Sequence, residues 1–191
     1  MIYLIDDFLD STFLQITQNY LNESKFTEVE MGGDRQCYVI PSNSDFDDYI
    51  LSRLEVMEQR ELKNILSFFR EATDTLDTQW NIHSDLNIEG QRPDRALVLY
   101  LSPRKRNDLH GTAFWEHEVY GRELPVDVSD AEYDRMLEVD SEKLEKWKLS
   151  TVLGYEENRL ISYPSSYFHS KYPNVAWPQG RKIYVMFYKI V

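Results

Sequence analysis

Hydrophobic positions near the N-terminus predict a short strand followed by a helix. Ile2 to Leu9 is an apolar run interrupted by two acids, and this predicts a strand that leads into the next element. Asp10 or Ser11 is a suitable N-cap, so a helix is predicted from there to about Leu21.

A second helical pattern follows between Phe46 and Phe69, where apolar residues recur at three- and four-residue steps. This spacing predicts a long amphipathic helix or two consecutive helices, beginning at Ser44 or Asp45. The positions that share the spacing are Phe46, Tyr49, Ile50, Leu54, Met57, Leu62, Ile65, Leu66 and Phe69.

After Asp74 the pattern changes to short runs that are typical of strands. The predicted strands are Thr78 to His83, Arg95 to Leu101, Thr112 to Tyr120, Thr151 to Tyr155, Leu160 to Tyr163 and Arg181 to Ile190. The acidic, lysine-rich stretch Ser129 to Leu149 is predicted to be a helical or irregular insertion among them. Helices followed by several antiparallel strands predict an α+β fold with a mainly β core, namely a small barrel or jelly roll braced by N-terminal helices.

Composition indicates one domain over residues 1–191. The pattern of elements predicts helical support in 1–75 and the jelly-roll core in 76–191. The chain has 191 residues and is 42% hydrophobic, which suits one buried core. Apolar runs such as Ala96 to Leu101 are far shorter than the roughly 20 residues that cross a bilayer, so we expect a soluble protein without a membrane partner. The start, Met1 to Asp7, has no basic leader, and we expect no secretion through a signal peptide.

The cysteine content indicates the cellular compartment, and the charge limits the possible partners. Cys37 is the only cysteine, which excludes an intrachain disulfide and favours a reducing, cytoplasmic location. The formal net charge of -12 argues against a nucleic-acid partner. The basic cluster Arg104 to Arg106 follows a proline and is predicted to be a solvated turn. The aromatic residues are predicted to fill a β-barrel core.

The candidate chemistry lies in histidines and one aspartate. His83 and Asp85 are two residues apart, and on a strand such positions share one face, so both side chains could reach one ion. This pair alone does not decide a function. His169 follows a predicted strand and a proline turn and supplies a third candidate ligand. Two imidazoles and one carboxylate on one face of an octahedron leave positions open for a co-substrate and dioxygen.

The other two histidines are predicted to lie at the surface. His117 stands between Glu116 and Glu118, which suggests a rival metal site, but on a strand the glutamates point away from the histidine, so a solvated charged edge is predicted. His110 follows a loop and is predicted to be exposed.

The region from about residue 76 to 190 resembles the 2-oxoglutarate/iron(II)-dependent dioxygenase superfamily, in its prolyl-hydroxylase-like branch. The residues that carry the resemblance are His83 and Asp85, the distant His169, and Arg181 twelve residues beyond it. The context is similar too, in the apolar strand Arg95 to Pro103, the glycine-containing stretch His110 to Trp115 and the strand Arg159 to Pro164.

The resemblance implies a double-stranded β-helix of the jelly-roll, cupin-like type, with iron(II) held by His83, Asp85 and His169. It also implies that Arg181 binds the far carboxylate of 2-oxoglutarate and that dioxygen and 2-oxoglutarate are consumed as an unactivated C–H bond is hydroxylated. Many members place Ser or Thr two residues after the basic residue, but here that position is Ile183, so Tyr100 or Tyr184 could donate that hydrogen bond. The glycine hairpin has one glycine rather than two, and the Ser129 to Leu149 insertion is longer than in the shortest members and could cover the substrate.

Two rival functions stay open from the sequence. One is a cupin-like metalloenzyme that does not use 2-oxoglutarate, against which Arg181 argues. The other is a catalytically silent jelly roll that serves as a binding or structural module. A zinc hydrolase is disfavoured because no His-Glu-x-x-His motif occurs. The substrate class extends over peptide side chains, amino acids and small metabolites.

Overall fold

The computed structural model describes residues 1–30, 36–103 and 109–191. The basic cluster Arg104 to Arg106 therefore lies outside the described residues. The helices are α1 (Ser11–Glu23), α2 (Ser44–Glu58) and α3 (Asp130–Asp140). The strands are β1 (Tyr3–Ile5), β2 (Thr27–Glu30), β3 (Gln36–Pro41), β4 (Leu62–Ala72), β5 (Arg95–Tyr100), β6 (Gly111–His117), β7 (Trp147–Gly154), β8 (Leu160–Pro164), β9 (His169–Tyr172) and β10 (Arg181–Ile190).

The strands form two antiparallel sheets that face each other. The major sheet has the order β1-β8-β5-β10-β4-β3-β2, and the minor sheet has the order β7-β6-β9. This is the double-stranded β-helix, or jelly roll, that the sequence predicts. The predicted strands at β5, β8 and β10 are confirmed, whereas β9 begins where a loop was expected.

Three apolar clusters hold the layers together. The helix-side core joins α1 and α2 to the outer face of the major sheet through residues such as Leu21, Phe46, Leu97, Tyr184 and Met186. The inter-sheet core lies between the sheets and includes Val98, Phe114, Ile161, Val185 and Phe187. The third, which we call the α3 core, packs α3 on the outer face of the minor sheet through residues including Trp115, Met136, Leu137, Trp147 and Phe168.

The N-terminal helices brace the major sheet as predicted. The side chain of Asp10 caps α1 by accepting a hydrogen bond from the Phe13 N–H at 2.9 Å. However, the region 1–75 is not purely helical support, because it also contributes β1 to β4. In the described residues no helix is long and apolar enough to cross a membrane.

The predicted helix from Phe46 to Phe69 is wrong in its second half. The helix α2 begins at Ser44 and ends at Glu58, where Gln59 adopts a left-handed conformation with φ 53°, and β4 begins at Leu62. Strand β4 is flanked by β3 and β10, and it places Phe68 and Phe69 in different cores on its two faces. A strand buried on both faces loses the apolar–polar alternation, so its apolar residues matched a helical spacing by coincidence.

Other predictions in the strand half also differ from the structure, such as the strand Thr112 to Tyr120, which already ends at His117, and the strand from Thr151, which begins at Trp147. The run Thr78 to His83 is not a strand, because only His83 makes a bridge, and its partner is His169. The predicted insertion is too long at its C-terminal end, since β7 already begins at Trp147.

Candidate functional site

A cavity of about 480 Å³ opens between the two sheets, and its lining includes His83, Asp85, His169, Arg181 and Tyr100. Strands β4, β5 and β10 supply one wall, β6 and β9 supply the opposite wall, and residues 83–89 and α3 lie along its margin. The apolar part of the lining includes Leu66, Phe68, Val98, Ile183, Val185 and Phe187. Pockets of this volume, mostly apolar with a few convergent polar groups, are typical of small-molecule sites.

His83, Asp85 and His169 meet at this cavity. One potential ligand atom of each lies within 4.8 Å of the others. The Nε2 of His83 is 3.6 Å from Asp85 Oδ1, and the Nε2 of His169 is 3.7 Å from Asp85 Oδ2. The structure therefore brings together the three residues that the sequence named as metal ligands.

Backbone pairing places the two histidines side by side. The His83 N–H donates to the His169 carbonyl at 3.1 Å, and the His169 N–H donates to the His83 carbonyl at 2.8 Å. The Asp85 N–H donates to the Ser165 carbonyl at 2.8 Å. His83 thus extends the minor sheet by one bridge beyond β9, although the segment around it is not a strand.

Hydrogen bonds fix the orientation of both imidazoles. The Nδ1 of His83 lies 2.6 Å from the Asn81 carbonyl, and the Nδ1 of His169 lies 3.0 Å from the Tyr167 carbonyl. Because a carbonyl only accepts, each Nδ1 carries a proton. A neutral imidazole then presents the Nε2 lone pair toward the Asp85 carboxylate. Two lone pairs and a carboxylate at one point form the donor set of a divalent metal, so the residues present fit iron(II).

Arg181 lies in the same cavity and is buried, with 4% of its surface exposed. Its Nη1 donates to the Gly111 carbonyl at 3.0 Å, and its Nε has no hydrogen-bond partner among the described residues. Burial lowers the pKa of this guanidinium from its usual value. A buried arginine with an unused donor is suited to bind a carboxylate.

Of the two tyrosines considered from sequence, Tyr100 is the one that lines the cavity with Arg181. Its hydroxyl is 2.7 Å from Thr112 Oγ1, and burial raises its pKa to about 12, so the hydroxyl stays protonated at neutral pH. Tyr184, the alternative, points to the opposite face of β10, where its hydroxyl donates to Asp47 at 2.6 Å. Tyr184 is therefore excluded as a cavity donor because adjacent strand residues face opposite ways.

Besides Arg181, the described part of the cavity lining has two more cationic residues. Arg70 and Lys171 both line the cavity, and both bond the buried carboxylate of Asp77. Burial lowers the pKa of Lys171 to about 8. Arg70 directly follows Phe69, where the falsely predicted helix was expected to end. Lys182, the neighbour of Arg181, points away and donates to the Leu21 carbonyl at 3.0 Å.

The two remaining histidines are buried, which corrects the prediction that both lie at the surface. His117 is 4% exposed, stacks on Tyr120 and contacts Asp140 at 3.3 Å. His110 is 6% exposed and packs against Trp177 at a ring distance of 4.7 Å. Neither contributes to the cavity lining, so both serve packing rather than the candidate site.

The amino-acid sequence matches no protein-family profile and no curated protein. Solved structures are similar in fold. HygX from Streptomyces hygroscopicus, with nickel and 2-oxoglutarate bound, has 11% identity and a TM-score of 0.60, covering 100% of this chain and 83% of HygX. A prolyl hydroxylase from Trichoplax adhaerens, in complex with a hypoxia-inducible-factor peptide, has 13% identity and a TM-score of 0.58, covering 99% of this chain and 83% of the hydroxylase.

A third structure gives the same result. The viral collagen prolyl hydroxylase of Paramecium Bursaria Chlorella virus-1, in its 2-oxoglutarate complex, has 9% identity and a TM-score of 0.57, covering 100% of this chain and 96% of that protein. At these identities the likeness is one of fold. The chain thus has the double-stranded β-helix fold shared by these 2-oxoglutarate oxygenase structures.

Proposed function

We propose that this protein is a 2-oxoglutarate- and iron(II)-dependent dioxygenase that hydroxylates an unactivated C–H bond. The observation that carries the proposal is that one cavity holds both the His83, Asp85 and His169 cluster and the buried Arg181. A metal cluster alone would suit many cupin-like proteins. A buried guanidinium in the same cavity adds the partner that a dicarboxylate co-substrate needs.

Each residue has a defined part in this proposal. His83, Asp85 and His169 would hold iron(II), and Arg181 with Tyr100 would bind the distal carboxylate of 2-oxoglutarate. When bound, iron(II) and 2-oxoglutarate would allow dioxygen to oxidise a C–H bond of the substrate, with succinate and carbon dioxide as co-products. The protein orients the imidazoles through their Nδ1–H groups and surrounds the site with apolar side chains that limit water.

The fold comparisons support the proposed co-substrate and a broad substrate class. HygX was solved with 2-oxoglutarate and with hygromycin B, and the prolyl hydroxylase was solved with a peptide. Either a small molecule or a peptide side chain is compatible with a cavity of about 480 Å³. We propose a cytoplasmic enzyme that acts on such a substrate and requires no nucleic acid.

The test combines metal analysis with co-substrate turnover. Protein loaded anaerobically with iron(II) is expected to bind about one iron per chain and, on exposure to air and 2-oxoglutarate, to release succinate slowly even without a substrate. The Asp85→Ala variant, folded by circular dichroism, should lose both properties. Iron binding without any succinate would favour a metalloenzyme that does not use 2-oxoglutarate, and failure to bind iron would favour a silent jelly roll.

A further inference from the structure

The segment from Trp80 to Asp85 carries two of the proposed metal ligands without being a regular strand. Only His83 forms a bridge, so most of its backbone groups need partners from outside the sheet. The hydrogen bonds show where these partners are. They come from the insertion that contains α3.

Glu142, just beyond α3, binds the beginning of this segment. One carboxylate oxygen accepts the Trp80 N–H at 2.9 Å, and the other accepts the Asn81 N–H at 2.6 Å. The neighbouring Ser141 carbonyl accepts the Ile82 N–H at 3.2 Å. Three successive amides before His83 are thus held by two residues of the insertion.

Tyr133 of α3 binds the backbone between the two ligands. Its hydroxyl donates to the Ser84 carbonyl and accepts from the Ser84 N–H at 3.0 Å. Tyr133 is 7% exposed, and its ring belongs to the α3 core. Because Ser84 joins His83 to Asp85, a rotation of either peptide at Ser84 would turn one ligand relative to the other.

We infer that the insertion positions the metal ligands, with Tyr133 and Glu142 as its positioning residues. The inference rests on the proposed metal centre and assigns a role to residues outside it. The amides of residues 80–85 are satisfied from two sides: His83 and Asp85 by the sheet region, and the other four by the insertion. Loss of the insertion's contacts should loosen the angle between His83 and Asp85 while leaving both side chains in place.

The experiment uses Co(II), whose visible absorption reports its coordination geometry, added to the full-length metal-free protein. Tyr133→Phe removes the hydroxyl and keeps the ring in its core. It is expected to raise the dissociation constant for Co(II) by about 10- to 100-fold and to change the visible spectrum of the bound metal. Tyr120→Phe is the matched control, because the Tyr120 hydroxyl donates to Glu132 of α3 at 2.8 Å rather than to the backbone of residues 80–85. The control should bind Co(II) like the wild type.

Glu142→Gln is the second variant, because it keeps the side-chain length but one of its two acceptors becomes a donor. It should weaken Co(II) binding about 10-fold, and it decides the outcome if Tyr133→Phe does not fold. A Co(II) affinity and spectrum equal to those of the wild type in the folded variants would overturn the positioning role. Failure of the wild type to bind Co(II) would instead overturn the proposed metal centre, and the inference with it.

Discussion

Among the described residues, three cations line the cavity: Arg70, Lys171 and Arg181. Asp77 neutralises part of this charge by bonding Arg70 and Lys171, and its own side chain is 1% exposed. By contrast, Glu89 and the α3 residues Asp130 and Asp134, which also line the cavity, are exposed. The inner cavity is therefore suited to an anion although the whole chain has a net charge of -12.

Arg181→Gln should weaken 2-oxoglutarate binding and leave metal binding intact. The substitution removes a buried charge-assisted pair, which should cost about 1.5 to 3 kcal/mol, or roughly 10- to 150-fold in affinity. The measurement is the 2-oxoglutarate concentration that gives half-maximal succinate release, beside iron content. Lys182→Gln is the control, since Lys182 points to α1. An unchanged half-saturating concentration in Arg181→Gln would move the carboxylate partner to Lys171 or Arg70.

Asp77→Asn should destabilise the metal-free protein by about 3 kcal/mol at neutral pH, because it leaves the buried Lys171 and the half-buried Arg70 without their counter-ion. Burial raises the pKa of Asp77, but Arg70 and Lys171 outweigh this and hold it below its usual value of 3.8. The stabilisation is thus present above pH 3.8 and is lost as the pH falls through the lower folded pKa.

Urea unfolding of the metal-free protein across pH 2 to 7 tests this. The difference between wild type and Asp77→Asn should shrink as the pH falls below about 4. Asp74→Asn makes the same change on a nearby exposed side chain and should have an effect below about 0.5 kcal/mol. A constant difference at every pH would mean that the ion pairs do not stabilise the fold.

Strands β6 and β7 leave no room for a side chain at Gly111. A Cβ on Gly111 would lie 2.0 Å from the Leu153 carbonyl oxygen, whereas a Cβ on its cross-strand partner Gly154 would meet nothing closer than 4.0 Å. The Gly111 carbonyl also accepts the hydrogen bond from Arg181. The pairing of β6 and the position of the arginine are therefore linked through one residue.

Gly111→Ala should lower the free energy of unfolding by about 3 kcal/mol, since the obstructing atom belongs to the backbone and the strands must separate. It should also weaken 2-oxoglutarate binding by displacing the acceptor of Arg181. Gly154→Ala is the matched control and should change stability by less than about 1 kcal/mol. Equal stabilities of the two variants in urea unfolding would contradict the close approach.

The helix α3 is expected to be well protected from hydrogen exchange. From sequence, the insertion was a candidate for a cover over the substrate, and that remains a prediction. In the structure Tyr133, Met136 and Leu137 are buried, and Tyr133 bonds the ligand segment. Slow exchange of the amides near Met136 in the substrate-free protein would agree with a fixed wall, whereas fast exchange over the whole helix would restore the idea of a mobile cover.

Local sequence signals predicted the elements unevenly. The strand β10 was predicted with its true bounds because its apolar run starts sharply at Arg181 after a glycine turn. The strand β4 was missed because it is buried on both faces and imitates a helical spacing. The segment before His83 was predicted as a strand, but its amides bond Ser141 and Glu142, about 60 positions later, and such distant partners leave no local signal.

For the whole molecule, the metal and 2-oxoglutarate should stabilise the fold by mass action. A ligand at 100 times its dissociation constant adds about 2.7 kcal/mol, which corresponds to roughly 5 to 11 °C for a domain of this size. Thermal unfolding with Mn(II) and 2-oxoglutarate under anaerobic conditions would measure the shift. The Asp85→Ala variant should show almost none, and an equal shift in that variant would place metal binding elsewhere.

The global fold and the candidate residues could be predicted from a few residues with characteristic order and spacing. The pair His83 and Asp85 lies far in sequence from His169 and Arg181, yet the family resemblance carried by their order and spacing predicted that they share one site, and all four line one cavity. Burial of His110 and His117 could not be predicted, because the aromatic partners that enclose them come from distant positions such as Trp147 and Trp177. The cytoplasmic location remains a prediction.

The alternation of β10 between two environments has a consequence for how such a protein could diversify. Arg181, Ile183, Val185 and Phe187 line the cavity, while Tyr184, Met186 and Tyr188 pack in the helix-side core. Single substitutions on the cavity side can therefore change which substrates fit without disturbing the helix-side core. A one-residue insertion or deletion within 181–187 would exchange the two sets at once. Natural or laboratory variants with new specificities should therefore differ here in residue type and keep this stretch constant in length.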